Sequence, residues 1–404
     1  MSESLQLTKR EWSVSLFAIG VSLSNFFGVD IYLPSLPAIE KSLGIGQSGA
    51  QLTISIYMLG MALSVFFCGP LSDKVGRKKV MVPGLLLNLL GSIICFGATT
   101  GHVLLLGRLI QGLGAGACMG GIRAMITDVF SAKKLSMVAA YLSTVLALSP
   151  IVAPVVGGYL QTYVSWRANF VVLGVVYLLL VLVSFWVRET NEHQHLHSFD
   201  VRHHAKNYRY LLGRPDFMTF AFCGGFAMVV SIAYATSAPF VFQKTLGLTP
   251  IQFGWMGIFI GVGNIAGKLL SPSIAKRCDM EKTMVAALFC ILLAGVFLDV
   301  MICVNKAGLL ITTLAVMLSF LGQGMTTPNS MALGLSPYRA MGGTANALLS
   351  FIQMLLSFIV SYVLSSAMLA DHQSTALAGS YIMVGVLTLL VYFIFATCRC
   401  QKAA

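Results

Sequence analysis

The sequence predicts an all-α membrane protein of twelve spanning helices with both termini in the cytoplasm. Three observations predict it. The 404 residues are 57% hydrophobic and only 10% charged, where a soluble chain carries roughly 25% charged residues. The apolar residues gather in runs of at least span length, about 20 residues. They lack the polar–apolar alternation over roughly ten residues that marks a barrel strand. The basic residues also segregate. Of the 26 lysines and arginines, only Lys41, Arg167, Lys244 and Lys306 fall in loops on the outer side, and the other loop residues among them gather on the opposite side. That bias sets orientation and places both ends inside. The net charge of +12 then belongs to cytoplasmic loops, not to a nucleic-acid surface.

The elements follow in order. Residues 1–11 are polar, and the first run is full span length without a small-residue cleavage site, so no secretory signal is expected. Span 1 covers about 12–35 and span 2 about 50–70. A short basic loop, Gly69 to Lys79, joins span 2 to span 3, about 80–99. Span 4 is about 103–125, span 5 about 137–160 and span 6 about 168–187. A polar stretch, 188–215, separates residues 1–187 from 216–404. It holds Arg202, Lys206, Arg209 and Arg214, five histidines, and room for a short surface helix. The irregular histidine spacing argues against a metal site. Spans 7 to 12 are about 217–242, 251–272, 283–304, 308–330, 342–367 and 375–397. The break at 271–282 repeats the basic loop about half a chain later. The expected architecture is two related six-helix bundles, 1–187 and 216–404, joined by the linker 188–215.

Charges inside spans are the chemical anomalies. A carboxylate within the bilayer costs at least ~2.5–3.5 kcal/mol on insertion scales. Asp30 lies in span 1 with Ser22 and Phe26 on roughly its face and Asn25 beside them. Such a half-polar face should line an interior cavity, where a carboxylate carries a proton or pairs with a cation, unless it is a structural group at the rim. Arg108 stays charged and needs acceptors. It would poise Asp30, organise backbone carbonyls or touch substrate. Asn25, Phe26, Tyr32, Tyr234, Ser237 and Gln353 are candidates for a partly aromatic cavity, which suits a bulky amphipathic ligand. Gly112, Gly116 and Gly120 form a small-residue stripe on span 4. Pro150, Pro154, Gly157 and Gly158 do so on span 5, which the prolines should bend. No phosphate-cradling loop, hydrolase triad or metal spacing is present, so no cofactor is expected and energy must come from a gradient.

These motifs resemble the major facilitator superfamily, and within it the bacterial drug:proton antiporters of the bicyclomycin- and chloramphenicol-resistance type. The likeness covers nearly the whole chain. Gly69-Pro70-Leu71-Ser72-Asp73-Lys74-Val75-Gly76-Arg77-Lys78-Lys79 is similar to the superfamily's loop between spans 2 and 3. The resemblance implies a conformational latch of Gly69, Asp73, Gly76 and Arg77, with Arg123 and the backbone near Met341 as partners of Asp73. Arg108-Leu109-Ile110-Gln111-Gly112 resembles the span 4 antiporter signature, and Ala153-Pro154-Val155-Val156-Gly157-Gly158 the span 5 motif, although Ala153 departs from its usual glycine. Asp30-Ile31-Tyr32-Leu33-Pro34 resembles the end of span 1 in the bicyclomycin-resistance group. The resemblance implies a major facilitator fold in the bacterial inner membrane. It implies proton-coupled export of small amphipathic compounds, multidrug type, by alternating access, with Asp30 and Arg108 in proton coupling. The protein is expected to be a monomer and not an enzyme. Its partners are protons, the bilayer and a small amphipathic or metabolite substrate. Export of one metabolite or siderophore, and proton-coupled nutrient uptake, stay open.

Overall fold

A computed structural model describes residues 7–191, 201–367 and 373–403. Every regular element is helical: α1 Lys9–Asp30, α2 Leu36–Leu43, α3 Gly46–Val75, α4 Arg77–Phe96, α5 Gly101–Val129, α6 Ala132–Ala147, α7 Ser149–Tyr163, α8 Trp166–Ser184, α9 Val201–Leu212, α10 Pro215–Phe240, α11 Pro250–Cys278, α12 Met280–Cys303, α13 Leu309–Leu335, α14 Gly342–Ala367 and α15 Gln373–Ala403. Among the described residues, eleven helical segments are long and apolar enough to cross a membrane.

The segment expected as span 5 is absent from those eleven because it is two helices, α6 and α7. They part at Leu148, just ahead of Pro150, which has no N–H to give and opposes an unbroken helix. The carbonyl of Leu148 instead accepts the amides of Ile151 and Val152. The expected bend is present as a gap in the helical hydrogen-bond ladder at Leu148, whose φ of −80° and ψ of −19° stay right-handed helical. In α13 the expected end near Pro328 is not an end: the helix runs on to Leu335.

Start signals explain the entries. Thr8 caps α1 in a capping box with Glu11, and Thr249 caps α11 with Gln252, each satisfying amides that a helix start leaves open. Gly76 is the single residue between α3 and α4. Its φ of 112° and ψ of 148° lie where a side chain is strained, so the turn needs glycine. One end of the molecule, here the basic end, gathers the start of α1, the α3–α4 turn, the α5–α6 turn and α9. There Glu11 pairs with Lys134 at 3.0 Å and Tyr338 donates to Asp216 at 2.7 Å.

Helices from the two parts of the chain meet along α3 with α14 and α7 with α11. The α7–α11 contact is backbone on backbone. A methyl on Gly158 would lie 2.6 Å from the carbonyl oxygen of Pro250, and one on Gly254 would lie 2.5 Å from that of Pro154. Gly257 meets Pro150 in the same way. Small residues let the axes approach where lipid offers no hydrophobic drive. At the end opposite the basic one, Gln51 donates to the Thr236 carbonyl at 3.0 Å and Gln243 to that of Pro34 at 3.0 Å. Lys244 pairs with Glu40 at 2.6 Å, and the Ser55 and Ser361 hydroxyls are 2.7 Å apart.

Candidate functional site

The chain leaves α1 at Asp30, turns through a short 3₁₀ segment at Leu33–Ser35, and passes directly over α7. A methyl on Gly157 would overlap the carbonyl oxygen of Ile31, so the turn closes only over glycine. This contact sets Asp30 against the start of α7, where Ser149 donates to its Oδ2 at 3.2 Å. Asp30 is only partly enclosed, while Ser149 is buried. No ion pair involving Asp30 occurs among the described residues. The site is thus a carboxylate with one hydroxyl donor and an open side, beside the α6–α7 junction at Leu148. Chemically, it can exchange a proton or receive a cationic group without first breaking an ion pair.

Arg108 lies nearby on α5 with no exposed surface. Its Nη1 donates to the Gly28 carbonyl at 2.9 Å and to Gln111 Oε1 at 2.8 Å, and its Nε reaches the Thr53 carbonyl at 3.5 Å. The guanidinium carbon lies 4.3 Å from the Tyr32 ring centre and 4.4 Å from that of Tyr57. Of the three expected roles, the structure supports the organising of carbonyls: Arg108 joins α1, α3 and α5, and meets α1 at Gly28, two residues before Asp30. A desolvated cation over an aromatic face gains ~2 kcal/mol or more, which helps hold a charge that has no ion partner among the described residues.

A track of neutral polar groups continues from it. Gln111 donates to Ser92 Oγ at 2.8 Å, Ser92 to the Asn88 carbonyl at 2.8 Å, and Asn88 to that of Gly84 at 3.2 Å. Sequence reasoning quoted Gln111 only inside a motif and passed over Asn88, Ser92, Thr53, Tyr57 and Ser149. The available signal was the spacing: Asn88 and Ser92 lie one turn apart in an apolar run, as do Arg108 and Gln111.

The expected cavity residues divide. Phe26 is half-buried, and Asn25 is buried with its amide on the Ala115 carbonyl at 3.3 Å. Tyr32 is fully enclosed, its ring on Arg108 and its hydroxyl 3.2 Å from Thr53 Oγ1. Tyr234 packs among Phe242, Phe253 and Phe320. Ser237 and Gln353 are buried. In this structure the aromatic wall is packed core.

Among the expected latch residues, Gly69 faces Ala347 of α14 across 3.4 Å, measured from the position a Cβ would take. Arg77 binds Asp128 at 3.0 Å and Ser72 Oγ at 3.0 Å. Glu189, unforeseen, accepts the Arg77 and Lys78 amides at 2.9 and 3.1 Å. It thereby caps α4 from beyond α8, a favourable place for an anion. The side chains of Asp73 and Arg123 lie outside the described ones, as do the histidines at 193, 195, 197, 203 and 204.

Comparison with known proteins gives the family. Residues 18–361 match the Major Facilitator Superfamily. An uncharacterized MFS-type transporter, YdgK, of Bacillus subtilis is 28% identical over 88% of this chain and 89% of its own. A bicyclomycin resistance protein homolog of Haemophilus influenzae is 27% identical over 96% of this chain and 98% of its own. The multidrug resistance protein MdtL of Klebsiella pneumoniae is 24% identical over 91% of each. The crystal structure of a D-xylose-proton symporter superposes with a TM-score of 0.77 at 16% identity, covering 95% of this chain and 98% of that one. That likeness concerns the fold.

Proposed function

Because the chain belongs to the major facilitator superfamily, we propose that it exports small amphipathic compounds in exchange for protons by alternating access. The family makes it a multi-pass membrane transporter of the bacterial inner-membrane kind, not an enzyme. The finer reading assigns the basic end to the cytoplasm, α6 and α7 together to a twelfth span, and residues 1–187 and 216–404 to two six-helix bundles about the linker 188–215. The relatives named for bicyclomycin and multidrug resistance support export of drug-like molecules.

The observation that carries the reading is Asp30: a carboxylate inside a span, without an ion partner among the described residues, one hydroxyl away from the α6–α7 junction. Asp30 takes its proton when the cavity faces outward and gives it up to the cytoplasm as substrate binds. One charge crossing 100 mV contributes ~2.3 kcal/mol. Arg108 is a positioning residue, which fixes the Gly28 carbonyl and so the last turn of α1. Asn25, Phe26, Tyr32, Tyr234, Ser237 and Gln353 would face substrate once the packed core opens. Gly69, Asp73, Gly76, Arg77 and Arg123 would form the latch at the basic end. The α7–α11 contact, with Pro150, Pro154, Gly157 and Gly158, would be the surface on which the halves rock.

Inverted vesicles carrying the protein, loaded acidic inside, test direction with ethidium as the probe. Export predicts concentrative ethidium uptake into them that collapses with the pH gradient. Outward movement of ethidium together with protons would instead mark a symporter working toward the cytoplasm.

A further inference from the structure

Helix α9 carries no acidic residue, and its two faces differ sharply. Inward, Tyr208 stacks on Phe66 of α3 with ring centres 4.7 Å apart, and its hydroxyl donates to the Phe66 carbonyl at 3.4 Å. Leu211 has no exposed surface and belongs to a cluster with Phe217 of α10 and Leu348 of α14. Outward, Lys206, Arg209, Tyr210, Leu212 and, just past the helix, Arg214 are exposed. Tyr210 and Leu212 are 44% and 51% exposed. Arg214 lies 4.5 Å over the Tyr210 ring and donates to its hydroxyl at 2.5 Å. No ion pair among the described residues involves Lys206, Arg209 or Arg214.

The position fixes what this face meets. Arg214 directly precedes Pro215, where the apolar helix α10 begins, so the exposed face lies within a turn of the bilayer surface. Phe185 and Trp186, 70% and 78% exposed at the end of α8, suit the headgroup region where that helix leaves the apolar layer, since aromatic rings favour it. A basic amphipathic helix with apolar side chains at its rim is suited to that boundary. We propose that the outward face of α9 binds anionic phospholipid headgroups, with Lys206, Arg209 and Arg214 on the phosphates and Tyr210 and Leu212 in the headgroup–acyl boundary. The same helix touches α3 and α14 through Tyr208 and Leu211, so the headgroups anchor a strap across helices from both parts of the chain. The proposal rests on the chain's place in a bilayer and not on its being an exporter.

The test uses the purified full-length protein, delipidated and offered equal phosphatidylglycerol and phosphatidylcholine, with bound lipids counted by native mass spectrometry. Wild type should prefer phosphatidylglycerol. Each of K206Q, R209Q and R214Q should weaken that binding about fivefold, and the triple variant should abolish the preference. The single variants carry the result if the triple fails to fold. A K276Q/R277Q control, which neutralises exposed bases at the end of α11, should keep the preference. Undiminished phosphatidylglycerol binding by the three single variants would overturn the proposal. So would equal competition by soluble polyglutamate, which would mark a protein-binding face. Neither readout requires transport.

Discussion

Arg108 shows how one buried charge can organise three helices without an ion partner among the described residues. Replacing it with lysine keeps the charge but cannot reach the Gly28 carbonyl, Gln111 and the Thr53 carbonyl together. Each buried acceptor left without a donor costs about 1–3 kcal/mol. Arg108→Lys should therefore lower the thermal midpoint of the solubilised protein clearly and slow exchange, while Arg108→Ala should prevent stable assembly. A midpoint unchanged by the lysine substitution would mean that the carbonyl contacts do not hold this site together. The anomalies of Asp30 and Arg108 were legible in the sequence, because charge inside an apolar run is costly wherever it occurs. What they touch was not. Main-chain carbonyls leave no mark in a sequence, and Ser149 meets Asp30 from 119 residues away.

At the scale of elements, two contacts carry most of the consequence. The first is the cap on α4. Glu189→Gln removes an anion from the helix start and should cost about 0.3–1 kcal/mol, seen as faster amide exchange at Arg77 and Lys78 with the rest of the fold unchanged. Its invisibility in the sequence has a plain cause: Glu189 looks like any loop acid until α8 brings it back to the α3–α4 turn. The second is α7 on α11. Gly257→Val pushes a branched side chain into the Pro150 carbonyl, and overpacking costs ~1–3 kcal/mol or more. Transport should fall severalfold in that variant, while Gly308→Val, where a side chain meets open space, should leave it intact. The glycine and proline stripe was readable by spacing. The bend at Leu148 was readable as well, because a proline inside a membrane run removes a backbone donor wherever it sits.

At the scale of the molecule, the composition and charge bias were enough to announce a many-helix membrane protein, since lipid admits few alternatives. They could not place the cavity residues, because Tyr32 and Tyr234 look alike in a hydrophobic run whether they line a space or fill one. The contacts at the end away from the bases suggest a test of rocking. In a cysteine-free background, Ser55→Cys with Ser361→Cys should form a disulfide that stops ethidium transport, and reductant should restore it. Transport that persists with the bond formed would show that this end need not open.

The measurement that bears most directly on proton exchange is Asp30→Asn in oriented vesicles, read two ways on the same preparation. Ethidium exchange without a gradient should survive, because the two openings still interconvert, while concentrative movement driven by a pH gradient should disappear. Gradient-driven accumulation at the wild-type level in Asp30→Asn would contradict the assignment of the coupled proton to Asp30.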